Sequence, residues 1–238
     1  MKEELSFTFN FLKSEFEKII SLGYRIITCA EFVEVKKTKY SKLLVSRVDI
    51  DFSVKKTEKL LDLFNDLGVK STFFLRLHAP EYNPFSFENY RILKRIVEEG
   101  HELGYHSEII DQSVVWNEDA TNCLRRDLEV INSIFGIKVV GVASHGGITG
   151  LNNLDFWENK RAADFGLLYE VYDKEPSFNL FQESLYISDS EWTRWKCYDK
   201  GSLVLNDRRT PSEHAENGHR LIHLLIHPDT YYERHIYE

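Results

Sequence analysis

The strongest constraint on the fold is an alternation of short β-prone runs with amphipathic helices that end at a glycine. Helical spacing of apolar residues predicts helices over residues 9–22, 53–67, 87–99 and 119–135, followed by glycines at 23, 68, 100 and 136. Runs rich in β-branched and aromatic residues predict strands over residues 24–28, 43–51, 69–77, 103–106 and 138–142. Strands that alternate with helices in this way form βαβ units with parallel pairing.

The alternation becomes less regular beyond residue 150. Short strands are predicted over residues 167–171, 185–187 and 203–205, and a buried strand over residues 221–226. We therefore expect an α/β fold, an irregular barrel of about seven strands, with a doubly wound open sheet as the alternative. We expect a single domain over residues 1–238, with a helical N-terminal extension at about residues 1–40.

Composition excludes several classes of protein. The chain has 238 residues, and its formal net charge of -8 argues against a nucleic-acid partner. Cys29, Cys123 and Cys197 are scattered and odd in number, which favours buried free thiols over disulfides or a thiolate zinc site. The first sixteen residues contain no apolar run long enough for a signal peptide or membrane span. We therefore expect a cytoplasmic protein.

Ionisable residues lie at the ends of four separate predicted strands. Asp49 and Asp51 lie at the end of the second strand, His106 ends the fourth, and His145 and His227 follow two others. In βα-barrels the working face is the one at the carboxyl ends of the strands. We expect these side chains to converge there.

Asp49 and Asp51 alternate along a strand, so both carboxylates can point to the same face. Two such neighbours repel each other unless they share a cation or a proton. A divalent metal would resolve the conflict, with one Asp as its ligand and the other accepting a proton from the activated water. The alternative is a helix cap beside a surface charge. Arg47 shares the face and can steady the pair, hold substrate or form a plain salt bridge.

Each histidine allows a functional and a structural interpretation. His106 ends a short strand, as expected of a ligand, although a lone histidine is often a core residue. His145, within ASHGG, can be a third ligand, a substrate donor or simply part of a turn. His227, just before Pro228, can protonate a departing amine, or can be structural.

The segment YISDSEWTRW adds possible partners for this site. Asp189 can orient His227, and Trp192 and Trp195 can form a platform for a sugar ring. Tryptophans are also ordinary core residues. The remaining histidines in loops are expected on the solvated surface: His78, His214, His219 and His235.

Four segments together resemble the polysaccharide deacetylase family, whose members hydrolyse N- or O-acetyl groups on sugars. They are VDID with the following FS, STFF after LGVK, GHELGYHSE, and LLIH. The resemblance runs from about Val45 to His227. It implies an irregular βα-barrel and a divalent ion, usually zinc. It also implies the roles of Asp49 as base, Asp51 and His106 as metal ligands, and His227 as acid.

The sequence departs from the family pattern at three places. Ile110 occupies the position of the family's second motif histidine, Ile50 separates the two aspartates, and ASHGG replaces an arginine-bearing motif. A divalent site with an open position needs about three protein ligands. Glu108 and His145 are candidates for the third, and His145 is favoured because it follows the next strand.

The sequence thus predicts a metal-dependent hydrolase that removes an acetyl group from an N-acetylated sugar. A cytoplasmic location points to nucleotide-linked or lipid-linked precursors of surface polysaccharide, such as O-antigen or capsule. Two other functions are compatible with the sequence. One is a metal-free barrel that binds sugar or acts as a scaffold in glycan assembly, and the other is a metal-independent amidohydrolase acting on a small nitrogenous substrate.

Overall fold

A computed structural model describes residues 7–38 and 41–234. Its strands are β1 (Arg25–Ile27), β2 (Leu43–Ile50), β3 (Thr72–Leu75), β4 (Glu102–Ser107), β5 (Gly141–Ser144), β6 (Tyr169–Glu170), β7 (Leu185–Ser188), β8 (Lys196–Asp199), β9 (Ser202–Val204) and β10 (Leu221–Ile226). Its α-helices are α1 (Phe9–Ser21), α2 (Cys29–Val35), α3 (Val54–Leu67), α4 (Phe87–Glu98), α5 (Ile109–Trp116), α6 (Ala120–Phe135), α7 (Leu180–Glu183) and α8 (Pro211–Glu216). Short 3-10 helices span Asn153–Trp157, Ala162–Phe165 and Pro228–Thr230.

The strands form one sheet in the order β6-β5-β4-β3-β2-β10-β7-β8-β9. Pairing is parallel from β6 to β7 and antiparallel from β7 through β9. β1 pairs with residues 43–45 of β2, and β3 pairs with residues 47–50. The predicted α/β class and single barrel-like domain are confirmed. The barrel is irregular, since in the described part of the chain no ladder joins β6 to β7.

Several helix boundaries are set by the residues that predicted them. The hydroxyl of Ser53 accepts a hydrogen bond from the backbone N–H of Lys56 and begins α3, which ends at Gly68 with φ 66°. Asp119 begins α6 in the same way, and Gly136 ends it with φ 66°. A left-handed conformation costs glycine little because it has no Cβ. These local signals explain why the helix predictions were accurate.

The strand predictions were less accurate. The strand expected over residues 138–142 lies at Gly141–Ser144 instead. Gly141 lies against the ring of Tyr169, and a Cβ there would overlap that ring. This close approach of β5 to β6 is a tertiary contact with no local signature. The shift places His145 immediately after β5.

β2 explains how charged side chains come to lie inside the barrel. All of its residues are buried, so both faces of the strand are covered. Leu44, Val48 and Ile50 belong to the core between the sheet and the outer helices. Val45 belongs to a smaller core within the barrel. Because side chains alternate along a strand, residues 47 and 49 share the inner face with Val45, above an apolar floor.

The predicted N-terminal extension of residues 1–40 includes residues 1–6 and 39–40, which lie outside the described residues. In the described part, α1 contacts α3 and α8, and β1 joins the sheet. The division into extension and domain stays a prediction. Within residues 7–38 and 41–234, no helix is long and apolar enough to cross a membrane.

Candidate metal and catalytic site

Six of the predicted site residues, Arg47 among them, line one cavity of about 460 Å³ at the carboxyl ends of the parallel strands. Asp49 is the penultimate residue of β2, and Asp51 follows that strand. His106 lies on β4, and His145 and His227 directly follow β5 and β10. The convergence expected from the sequence is present in the structure.

His106 is held in one orientation by the neighbouring strand. Its Nδ1 atom lies 2.9 Å from the carbonyl oxygen of Ala143, which can only accept, so Nδ1 carries a proton. Its Nε2 atom lies 3.2 Å from Asp49 Oδ2 and 3.3 Å from Asp51 Oδ1. Asp51 Oδ1 is buried and has no hydrogen-bond partner among the described residues. A nitrogen and two carboxylate oxygens thus face one another closely, and one of those oxygens is unsatisfied.

His145 completes this group. One donor atom each from Asp51, His106 and His145 lie within 4.8 Å of one another. The rings of His106 and His145 are 5.1 Å apart and nearly perpendicular. His145 Nδ1 is buried without a hydrogen bond in the described chain, 3.5 Å from Glu108 Oε1. Glu108, the other candidate ligand, is paired with Arg76 at 2.7 Å. The arrangement therefore favours His145 as third ligand.

The loop that carries His145 is anchored by a network that the sequence did not predict. The Asp111 carboxylate accepts hydrogen bonds from the N–H groups of Ile148 and Thr149, at 3.1 and 3.0 Å, and from the Thr149 hydroxyl at 2.7 Å. The Asn153 amide donates to Asp111 at 2.7 Å and to the His145 carbonyl at 3.2 Å. The position of His145 is thereby fixed from α5.

Arg47 and Asp49 form a buried pair inside the barrel. Arg47 Nε and Nη2 donate to the two carboxylate oxygens of Asp49 at 2.8 and 2.7 Å. Arg47 Nη1 also donates to the Tyr172 hydroxyl at 3.2 Å. Burial raises the pKa of Asp49, but the charge of Arg47 and then that of His106 outweigh it, so the pKa lies below its usual value. Asp49 is therefore held as a carboxylate.

His227 is held by Asp189, which follows β7. Asp189 Oδ1 lies 2.6 Å from His227 Nδ1, and Oδ2 accepts the backbone N–H of His227 at 2.9 Å. The opposite nitrogen, Nε2, faces Asp51 Oδ2 at 3.7 Å. Burial lowers the pKa of His227, but the Asp189 carboxylate more than offsets this and raises it to about 9. The imidazole is thus protonated at neutral pH, with Nε2–H directed toward Asp51.

The two tryptophans are placed differently. Trp192 is 41% exposed, and its ring centroid lies 5.6 Å from that of Phe52 and 6.1 Å from that of His227. Its φ of 63° is unusual for an aromatic residue. Trp195 is only 3% exposed and packs on Phe7 at 5.3 Å. The prediction of Trp195 as a sugar platform is corrected, because a core side chain cannot offer its ring face to a ligand.

Other cavity residues were missed by sequence reasoning. Four aromatic rings in contact with one another also line the cavity, with the ammonium group of Lys196 over one of them, and they are Tyr172, Phe181, Tyr186 and Tyr198. In sequence these aromatics resemble ordinary core residues. Of the histidines expected on the surface, His214 needs correction because it is fully buried, whereas His78 and His219 are partly exposed. His235 lies outside the described residues.

A family model for polysaccharide deacetylases matches residues 37–158, which is just over half of the chain. The chain belongs to the polysaccharide deacetylase family. The matched region carries Asp49, Asp51, His106 and His145, whereas His227 lies beyond it. No curated protein matched the sequence.

One solved structure supports the same fold. A Mycobacterium smegmatis structure described as a polysaccharide deacetylase is 16% identical, with a TM-score of 0.51, over 83% of this chain and 81% of that chain. A CE4 family pseudoenzyme from Bacillus anthracis is also 16% identical, with a TM-score of 0.47, over 79% of this chain and 55% of that chain. This chain thus spans little more than half the length of that relative.

Within the polysaccharide deacetylase fold, the absence of the second motif histidine has a local explanation. Ile110, at that position, is partly buried against the outer core. The second imidazole in the group with Asp51 and His106 belongs to His145, which follows the next strand of the sheet. Asp111, the residue after Ile110, anchors the loop that carries His145.

Proposed function

We propose that this polysaccharide deacetylase binds a divalent ion, zinc or a similar metal, through Asp51, His106 and His145. The main support is the orientation of His106. Its Nδ1–H donates a hydrogen bond to the carbonyl oxygen of Ala143, and its Nε2 faces two carboxylates. One carboxylate oxygen and two imidazole nitrogens match the donors of catalytic zinc sites, which use three protein ligands and keep one position open. The unsatisfied Asp51 Oδ1, which lies 3.3 Å from His106 Nε2, fits the same group.

The reaction proposed is hydrolysis of the acetyl amide of an N-acetylated sugar. A bound divalent ion would supply a Lewis acid for the amide carbonyl and lower the pKa of a water molecule. Asp49, ionised by its contact with Arg47, accepts the proton of the attacking water. His227, protonated and oriented by Asp189, delivers a proton to the departing amine. Base and acid thus have opposite protonation states at neutral pH, as such a reaction requires.

The substrate is expected to enter beside Trp192 and Phe52. The exposed ring of Trp192 lies next to His227 and contacts the exposed ring of Phe52, and aromatic faces suit the C–H groups of a sugar. Arg47 is not free to bind substrate through Nε and Nη2, because both are paired with Asp49. We extend the proposal to nucleotide-linked and lipid-linked N-acetyl sugars that serve as precursors of surface polysaccharide in the cytoplasm.

One observation favours a second candidate, a metal-free sugar-binding barrel. Burial lowers the pKa of His106, but Asp49 and Asp51 outweigh it and raise the pKa. A protonated His106 would balance the two carboxylates without an ion. The two candidates differ in metal content and in acetate release.

The assay compares acetate release before and after metal removal. Protein stripped with a chelator is expected to be inactive on free, nucleotide-linked and lipid-linked N-acetyl sugars, and activity is expected to return with zinc, cobalt or manganese. Asp49→Asn is expected to keep its metal while its rate falls by about 10²–10⁴-fold, the usual contribution of a general base. Metal-loaded protein that releases no acetate from any of these sugars would favour the binding barrel, and an equally active stripped protein would exclude a metal role.

A further inference from the structure

A second cluster of metal-binding side chains lies outside the catalytic cavity. It consists of Cys197 on β8, Asp207 in the loop after β9, and His214 on α8. Lys196 lines the cavity, and Cys197, the next residue, belongs to the core between sheet and helices. The two therefore face opposite sides of the sheet, as alternation along a strand requires.

The three donor atoms are spaced as ligands of one ion. Cys197 Sγ lies 3.3 Å from His214 Nε2, which lies 3.6 Å from Asp207 Oδ1, and all three donors are within 4.8 Å of one another. Tetrahedral zinc with usual bond lengths holds its sulfur, nitrogen and oxygen ligands roughly 3.4–3.6 Å apart. The two distances that involve His214 Nε2 are close to that value although the residues come from three separate segments.

The surroundings also suit a structural ion. Cys197 and His214 are fully buried, so a substrate cannot reach these two side chains. The Asp207 carboxylate is oriented by Arg209, whose Nε and Nη2 donate to it at 3.0 and 2.6 Å. Ligand carboxylates commonly have such hydrogen-bonded supports. The ring of His219 lies 5.4 Å from that of His214 and offers a further imidazole close to the cluster.

We propose that Cys197, Asp207 and His214 bind a second, structural zinc-like ion, which ties the β8–β9 hairpin to α8. Helix α8 precedes β10, the strand that ends at His227, so the ion would hold the edge hairpin against the segment that delivers the proposed acid. The proposal does not depend on the catalytic metal site. The scattered spacing of the cysteines gave no sign of it, since the other ligands follow ten and seventeen residues later.

Cobalt substitution distinguishes this site from the catalytic one. A thiolate bound to Co²⁺ gives a charge-transfer absorption band in the near ultraviolet, and Asp51, His106 and His145 offer no thiolate. We expect the band in full-length wild-type protein and in Asp51→Asn, and its loss in Cys197→Ser. Cys123→Ser, which alters another buried free thiol, is the matched control and is expected to keep the band. Elemental analysis is expected to find one zinc fewer per chain in Cys197→Ser than in Cys123→Ser.

A second variant, Asp207→Asn, tests the site in case Cys197→Ser does not fold. Asp207→Asn changes a residue nearer the surface and is expected to weaken Co²⁺ binding at this site by about tenfold or more, as loss of a charged ligand or its support does. Wild-type protein without the band, or a band that persists in Cys197→Ser, would overturn the proposal and leave a hydrogen-bonded cysteine–histidine pair. A band that is lost only in Asp51→Asn would also contradict it.

Discussion

The imidazole of His106 on β4 donates Nδ1–H to the carbonyl oxygen of Ala143 on β5, at a distance of 2.9 Å. This bond between neighbouring strands fixes the ring and turns Nε2 toward Asp51. Metal-binding histidines almost always donate their other ring N–H in this way. The sheet itself therefore orients His106, whereas the position of His145, the other proposed imidazole ligand, depends on a loop.

The loop that carries His145 provides the first prediction. Asp111→Asn replaces an acceptor of three hydrogen bonds from residues 148 and 149 and is expected to loosen the loop. We expect affinity for the catalytic ion to fall by about 10–100-fold, the usual effect of losing a supporting residue, with little change in the far-ultraviolet spectrum. Calorimetric titration with zinc measures this. Asp155→Asn, in the neighbouring 3-10 helix and exposed, is the control, and equal affinity in both variants would refute the anchoring role.

The second prediction concerns pH. Since the pKa of His227 is raised to about 9, the acid is protonated at lower pH, and kcat/KM is expected to decline as pH rises through that value. Because the pKa of His227 is higher in the folded chain than in the unfolded chain, protonation of His227 stabilises the fold. This contribution is complete below about pH 6.5 and is lost as pH rises to about 9. Asp189→Asn removes the charge that raises the pKa, so the alkaline limb of the profile should move to lower pH. Asp199→Asn, at an exposed residue, is the control and should leave the alkaline limb of the profile unchanged. If the alkaline limb of Asp189→Asn also stays at the wild-type pH, His227 is not the general acid that it reports.

The buried pair of Arg47 and Asp49 provides a stability prediction. Arg47→Met leaves the Asp49 carboxylate buried without its cation, which is expected to lower the free energy of unfolding by about 3–5 kcal/mol. Adding Asp49→Asn in the same chain removes that charge and should recover part of the lost free energy of unfolding. Urea unfolding measures both. Arg25→Met, at an exposed arginine, should change stability by no more than about 0.5 kcal/mol. A double variant less stable than Arg47→Met would contradict this account.

Trp192 and Trp195 form a matched pair. Trp192→Ala removes an exposed ring beside His227 and is expected to raise KM for the sugar with little effect on unfolding. Trp195→Ala empties a core position and is expected to cost about 3–5 kcal/mol. Urea unfolding with steady-state kinetics separates the two effects. An unchanged KM in Trp192→Ala would show that the Trp192 ring does not contact the sugar.

The sequence predicted those parts of the fold that local chemistry determines. Ser53 and Gly68 bound α3 because a hydroxyl cap and a left-handed glycine act within a few residues. The β5 boundary was misplaced because it depends on Gly141 meeting Tyr169, a contact between distant residues. α5 was missed because Glu108, at its start, makes no side-chain cap.

The candidate site shows the same limit. Asp49, Asp51, His106 and His227 were placed at strand ends by periodicity, and parallel strands bring their ends together. Asp111 and Asn153 could not be predicted as the anchor of His145, because their partners lie about forty residues apart and no repeating pattern marks them. The cluster around Cys197 could not be predicted either, because no repeating pattern marks residues spaced ten and seventeen positions after that cysteine.

Zinc content of the purified protein is the most direct test of the central account. Elemental analysis would compare wild type with Asp51→Asn and His145→Gln, and with His78→Gln as a control for changing a histidine outside the group. The account predicts that each of the first two variants contains one ion fewer per chain than wild type and that His78→Gln contains the same number. Equal zinc in wild type, Asp51→Asn and His145→Gln would contradict it.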